Sequence, residues 1–214
     1  MTDDRFFASL DSYFERSLAA HGATARGVDW NSEGSQELRF RELLGVVDRS
    51  APYSINDYGC GYGALAHFLA ARGDSFTYSG LDVSERMLAL ARENSPLPRE
   101  WTFVAREEDL PVADYTVASG LFNLRLEVHD DAWTDYVRRM IRSLAALSRR
   151  GFSFNMLTSY SDPPLMRPEL FYGDPSVFFD FCRREISRHV SLHHDYGLYE
   201  WTIHVRTDPR EPAG

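Results

Sequence analysis

The sequence has few cysteines, no surplus of basic charge, no long apolar run and no internal repeat. Each absence excludes something. Only two of the 214 residues are cysteine, Cys60 and Cys182. That is too few for a disulfide framework or a cysteine zinc site, and it fits a reducing compartment. No metal site is expected. Lys and Arg together number 23 against 32 Asp and Glu, giving a formal net charge of −9. A general nucleic-acid binder would carry a basic surface, so no nucleic-acid partner is expected. No apolar stretch is long enough to span a bilayer, and the start, Met1-Thr2-Asp3-Asp4-Arg5, is too acidic for a secretory leader. The expected location is cytoplasmic, with no membrane partner. No low-complexity linker divides the chain, and its length suits one domain with a substantial core.

What is present is organised around Ile55-Asn56-Asp57-Tyr58-Gly59-Cys60-Gly61-Tyr62-Gly63-Ala64-Leu65. Tyr53 and Ile55 are strand formers, and Ala64, Leu65, Phe68 and Leu69 recur at helical spacing. Between them Gly59, Gly61 and Gly63 let the backbone turn sharply and let a ligand lie against it without meeting a Cβ. Such a turn presents backbone N–H groups at a helix start, where a nucleotide-like ligand fits. The glycines alone also satisfy the loose dinucleotide fingerprint. Asp57 separates the two readings, because a carboxylate at the tip of the first strand repels a pyrophosphate but suits an ammonium or sulfonium group. A second strand, Phe76 to Leu81, ends at Asp82, and Ser84 caps the following helix. An acidic residue closing that strand can accept from two vicinal ribose hydroxyls.

These residues carry a resemblance. Asp57 followed by Gly59-x-Gly61-x-Gly63, then Leu81-Asp82-Val83-Ser84 and Met87-Leu88, is similar to the class I S-adenosylmethionine-dependent methyltransferases, over about Arg39 to Arg206. The resemblance implies a three-layer Rossmann-like α/β fold whose seven-stranded, mostly parallel sheet runs 3-2-1-4-5-7-6, with S-adenosyl-L-methionine as cofactor. It implies cofactor contacts from Asp57, Gly59, Gly61, Gly63, Asp82 and Val83. An arginine placed like Arg39 binds the cofactor's methionine carboxylate in some such enzymes; otherwise it is a solvated surface residue. The family often has an acidic adenine contact soon after strand three. Here Arg106 stands at the aligned position, a departure, with Glu107 or Asp109 as substitutes.

The remaining chain supplies the acceptor side. Phe6, Phe7, Leu10, Tyr13, Phe14 and Leu18 form an apolar helical stripe, read either as packing on the main domain or as a lid. The chain thus divides into a helical cap over 1–50 and a catalytic unit over 51–209. Trp30, an isolated aromatic in a loop, and Tyr13 are substrate candidates. A second helix is expected from Ser35 towards Asp48. The fourth strand ends in Ser119-Gly120-Leu121-Phe122-Asn123-Leu124-Arg125, at the carboxyl edge where open α/β sheets bind ligands. Ser119 is assigned to the cofactor, Asn123 to catalysis and Arg125 to the substrate. Asp130 is expected to cap a long helix. The proline-rich loop from Asn155 to Gly173 brings Tyr172 as a catalytic candidate. Two alternating segments around Val190 to Leu192 and Trp201 to Val205 form a terminal hairpin, whose tip offers His194 as a base and Tyr196 as a substrate contact. His204 falls on a polar face and is expected to be inert. The reading is a methyltransferase acting on oxygen or nitrogen of a small molecule. The alternatives are a same-fold enzyme that releases methylthioadenosine by cyclisation, a non-catalytic nucleoside-binding subunit, and, more distantly, a dinucleotide oxidoreductase.

Overall fold

The structure, a computed structural model, describes residue 24 and residues 32–95 and 101–207. Tyr13, Trp30 and the expected helix from Asp3 to Ala20 lie outside the described residues. The elements in chain order are α1 (Glu33–Leu43), β1 (Tyr53–Tyr58), α2 (Ala64–Ala71), β2 (Phe76–Leu81), α3 (Glu85–Asn94), β3 (Trp101–Val104), β4 (Ala113–Ala118), α4 (Asp130–Ala146), β5 (Ser148–Leu157), α5 (Pro175–Glu185), β6 (His189–His193) and β7 (Glu200–Arg206). The strands form one seven-stranded sheet in the order β3-β2-β1-β4-β5-β7-β6, as the resemblance implies. β1 to β5 are parallel, and β7 runs antiparallel to both β5 and β6. β6 is therefore parallel to the main strands, and the turn between β6 and β7 lies at their carboxyl edge.

Alternation along the strands sends side chains into two cores. Phe152, Phe154, Trp201, Ile203 and Val205 face one side, packed with Trp133, Val137 and Ile141 of α4 and Phe178 and Phe181 of α5. Tyr53, Ile55, Tyr115 and Val117 face the other, under Phe40 and Leu43 of α1 and Leu65 and Leu69 of α2. Local signals set the helix ends. Ser32 and Ser35 form a reciprocal capping box at the start of α1, Ser84 accepts from Met87 N at α3, and Asp174 accepts from Ser176 N before Pro175 of α5. Two expectations are corrected. The second helix stops at Leu43 and tightens into a 3-10 turn over Leu44–Val46. Asp130 lies inside the first turn of α4 rather than capping it, and its carboxylate meets the Arg125 Nε at 3.1 Å.

The polar face of β7 is also buried. The last carbonyls of α1 have no partner within the helix and are met from the sheet: Ser153 Oγ donates to Leu43 O at 2.8 Å, and His204 Nε2 donates to Glu42 O at 2.7 Å. His204 is therefore a structural residue, 6% exposed. Burial pushes its imidazolium down to about 4. A folded value below the unfolded one means stability that is present above about pH 6.5 and lost as pH falls towards 4, on the order of 3 kcal/mol in all. Urea unfolding of wild type and His204→Gln at pH 7, 5.5 and 4 should show wild type losing that much relative to the variant. A pH-independent difference between the two would refute the assignment.

Candidate active site

At the carboxyl edge a cleft of about 850 Å³ opens between the ends of β1, β2 and β4, the helix α1, and the segments 157–172 and 197–200. Its near half is built by the glycine turn. Gly59, Gly61 and Gly63 all have left-handed φ, at 85°, 53° and 82°, a conformation that L side chains rarely adopt. Gly59 and Cys60 donate their backbone N–H groups to Leu81 O, at 2.8 and 2.9 Å, which ties the turn to the end of β2. Gly59 and Gly61 line the cleft, whereas Gly63 sits behind it as the N-cap of α2.

Both strand-end carboxylates face this one cleft. Asp82 is gripped at the turn: Gly61 N donates to its Oδ2 at 2.8 Å and Ser84 N to its Oδ1 at 2.9 Å. These two bonds fix its carboxylate at the rim of the cleft, beside the turn. Asp57 is 3% exposed and takes a 2.7 Å hydrogen bond from Tyr78. Burial pushes its carboxyl up to about 7; the Tyr78 bond lowers it and the nearby Asp82 charge raises it. A buried carboxylate without a cationic partner is costly, so this position calls for a positive group in the cleft.

The other cofactor candidates divide. Val83, Glu107 and Ser119 line the cleft. Glu107 Oε2 accepts from Tyr58 OH at 2.5 Å, while Arg106 is bound to Glu108 and Asp109 on the exposed side. Of the two substitutes, Glu107 lines the cleft and Asp109 does not. Ser119 Oγ is buried with no hydrogen-bond partner among the described residues. Arg39 lines the cleft and is 5% exposed, not a solvated surface residue. Its Nε and one terminal nitrogen are committed to the carboxylate of Glu200, at 2.8 and 2.5 Å.

The far half holds some acceptor candidates and excludes others. Asn123 and Tyr172 line the cleft, but both support loops: Asn123 Oδ1 accepts from Leu157 N at 3.0 Å, and Tyr172 OH accepts from Arg167 N at 2.9 Å. Three candidates are corrected. Arg125 turns away from the cleft to bind Val128 O at 2.8 Å, Leu170 O at 3.3 Å and Asp130. His194 is exposed against the Tyr160 ring, with centroids 5.8 Å apart, and does not line the cleft. Tyr196 is half-buried outside the lining, its hydroxyl 3.0 Å from Thr202 Oγ1. The hairpin tip does reach the cleft, but through Gly197, Leu198, Tyr199 and Glu200.

Glu200 is the residue the sequence reading missed. It opens β7 beside Leu157, the last residue of β5. The first residue of an antiparallel strand sits where its parallel neighbours end, so the logic that selects Asp57 and Asp82 selects Glu200 once the hairpin is counted. Asn155 completes the group, accepting from Gly120 N at 2.6 Å and donating to Glu200 Oε2 at 2.9 Å.

The fit to the implied cofactor rests on these features: a bare-backbone turn, two strand-end carboxylates lining one cleft, one of them buried with no cationic partner among the described residues, and the orphaned Ser119 hydroxyl. Comparison with known proteins agrees. Residues 55–146 match the model of a methyltransferase domain. A Mycobacterium tuberculosis protein named as a methyltransferase is 48% identical over 161 residues, spanning 75% of this chain and 97% of that protein. A trans-aconitate 2-methyltransferase of Rhodopseudomonas palustris is 38% identical over 77 residues, 32% of this chain and only 29% of that enzyme. Among solved structures, the 1,6-didemethyltoxoflavin N1-methyltransferase of Burkholderia thailandensis, with its substrate and S-adenosylhomocysteine bound, superposes with a TM-score of 0.64 at 20% identity, covering 96% of this chain and 90% of that one.

Proposed function

This chain belongs to the class I S-adenosylmethionine-dependent methyltransferases, and on that premise we propose that it methylates an oxygen or nitrogen atom of a small molecule by direct displacement, with residues 1–50 serving as a cover over the catalytic unit at 51–209. The observation that carries the proposal is the shared cleft of Asp57 and Asp82. In this reading Asp82 holds the ribose hydroxyls, Glu107 faces the adenine amino group, the Gly59–Gly61 turn packs against the nucleoside, and Asp57 balances the cationic methionine end. Bound there, S-adenosylmethionine supplies a methyl group already activated on a sulfonium. The protein's contribution is then mainly alignment and exclusion of water. Asn123 and Tyr172 serve by holding the walls at Leu157 and Arg167, and among the described residues no histidine lines the cleft to act as a base.

Two measurements test this. Calorimetry with S-adenosylhomocysteine should give tight binding, and its absence would end the case. Product analysis should give S-adenosylhomocysteine; methylthioadenosine would indicate cyclisation on the same fold instead. Asp57 adds a signature. Its carboxyl titrates at about 7 in the free protein, and a cation beside it favours the ionised form and lowers that value. Binding of S-adenosylmethionine below pH 7 must therefore release a proton, so affinity should fall by about tenfold per pH unit below 7. In Asp57→Asn the affinity should be weaker and lack that slope.

A further inference from the structure

Tyr58 closes β1, one residue past Asp57. Alternation along the strand turns its ring to the opposite face of the sheet, where it packs with Leu81, Leu110 and Trp133 and is 8% exposed. A buried phenol as a rule finds a partner for its hydroxyl. Here the partner is a side chain of the cleft wall: Tyr58 donates to Glu107 Oε2 at 2.5 Å. Burial first, and then that bond, push the phenol's titration up, so it stays a neutral donor. Glu107 is different in kind. It is exposed and opens a single 3-10 turn, Glu107–Asp109, in the connection from β3 to β4. A free glutamate there samples several rotamers, and fixing one costs about 1.5 to 2 kcal/mol of side-chain entropy. Tyr58 fixes it before any ligand arrives. The other carboxylate oxygen, Oε1, takes no hydrogen bond from the described residues. Cations nearby are placed elsewhere. Arg106 pairs with Glu108 and Asp109, and Arg139 stands over the Tyr136 ring, 5.8 Å from its centroid.

We propose that Tyr58 is a positioning residue for base recognition: it holds Glu107 so that the second carboxylate oxygen reads the 6-amino group of a purine, and the cleft thereby selects 6-aminopurine over 6-oxopurine cofactors. A 6-amino group donates to a fixed carboxylate oxygen. A 6-oxo group presents a lone pair to it and is repelled. An oxopurine does carry a donor one atom away, at N1–H, and a mobile glutamate would swing to meet it. The bond to Tyr58 prevents that swing, so selectivity comes from the hold on Glu107 and not from its charge alone. The walls suit a planar base, since Leu121, Trp133, Tyr136 and Met140 line the cleft and Tyr136 lies near Tyr58. The inference rests on the methyltransferase reading, in which Glu107 faces the adenine, and deepens it at the base.

The test is calorimetry on the full chain with S-adenosylhomocysteine and its deaminated analogue, S-inosylhomocysteine. Wild type should prefer the amino form by about 10- to 100-fold, the worth of one charge-assisted hydrogen bond. In Tyr58→Phe the amino form should bind more weakly, and the preference should fall to about threefold or less as the pre-set geometry is lost. Glu107→Asp keeps the charge but draws the carboxylate back from the phenol by a methylene, and its preference should fall in the same way. That variant changes an exposed side chain, so it carries the test if Tyr58→Phe does not fold. A purely structural Tyr58 would weaken both ligands by one common factor and leave the preference intact. That result, retention of the wild-type preference in Glu107→Asp, or a wild-type preference below about tenfold would each overturn the proposal. Tight binding of both ligands without preference removes this inference alone. Binding of neither removes the reading beneath it as well.

Discussion

Replacing Asp82 with alanine should weaken S-adenosylhomocysteine binding by about 100- to 1,000-fold. The carboxylate has two duties. It accepts from Gly61 N and Ser84 N, which holds the glycine turn against the start of α3, and it receives the ribose hydroxyls. Charge-assisted hydrogen bonds contribute about 1.5 to 3 kcal/mol each, so two to the ribose at the lower, partly solvated end of that range, about 1.5 to 2 each, give about 3 to 4 kcal/mol, which is the stated loss in affinity. Asp82 is only half-buried, so the folded state should survive with a modest drop in melting temperature. Calorimetry alongside thermal unfolding checks both. An affinity within tenfold of wild type would mean that the ribose lies elsewhere.

The residues behind this prediction were legible in the sequence because the chemistry there is local. A strand, a glycine turn and a strand-end carboxylate fall within 28 residues, Ile55 to Asp82, and the turn requires left-handed backbone that glycine supplies. The acceptor half was less legible because its partners are distant in sequence. Arg39 could be singled out as an arginine close to the first strand, but Glu200 lies 161 positions later, and no spacing connects them. His194 and Tyr196 were chosen from the correct hairpin and the correct edge, yet the tip turns Leu198, Tyr199 and Glu200 into the cleft instead. Arg125 and Asp130 were read separately, as a substrate contact and a cap, whereas they bind each other. His204 was read as inert on a polar face, because the alternation of β7 does not reveal that α1 covers that face and needs its carbonyls met.

Arg39→Met is the second large effect, an expected loss of about 3 to 5 kcal/mol in stability, because it leaves the Glu200 carboxylate buried without its guanidinium. A typical domain has only about 5 to 15 kcal/mol in total, so this variant should be close to unfolding at 37 °C. Glu200→Leu should cost a similar amount by stranding the cation. The double variant Arg39→Met/Glu200→Leu removes both charges and should return to within about 1 kcal/mol of wild type. Urea unfolding of the four proteins completes the cycle. Single variants within 1 kcal/mol of wild type would show that the pair is solvated rather than buried.

The position of β7 has a consequence for synthesis. It lies between β5 and β6 although it comes last of the three in the chain. While a ribosome has produced β5 and β6 but not residues 200–206, β5 presents an unpaired edge, and Phe152, Phe154 and Met156 lack the cover of Trp201 and Ile203. Exposed strand edges of this kind recruit other chains. The nascent protein is therefore most vulnerable to aggregation in the interval before its final strand emerges, and only insertion of that strand into the gap makes the sheet continuous.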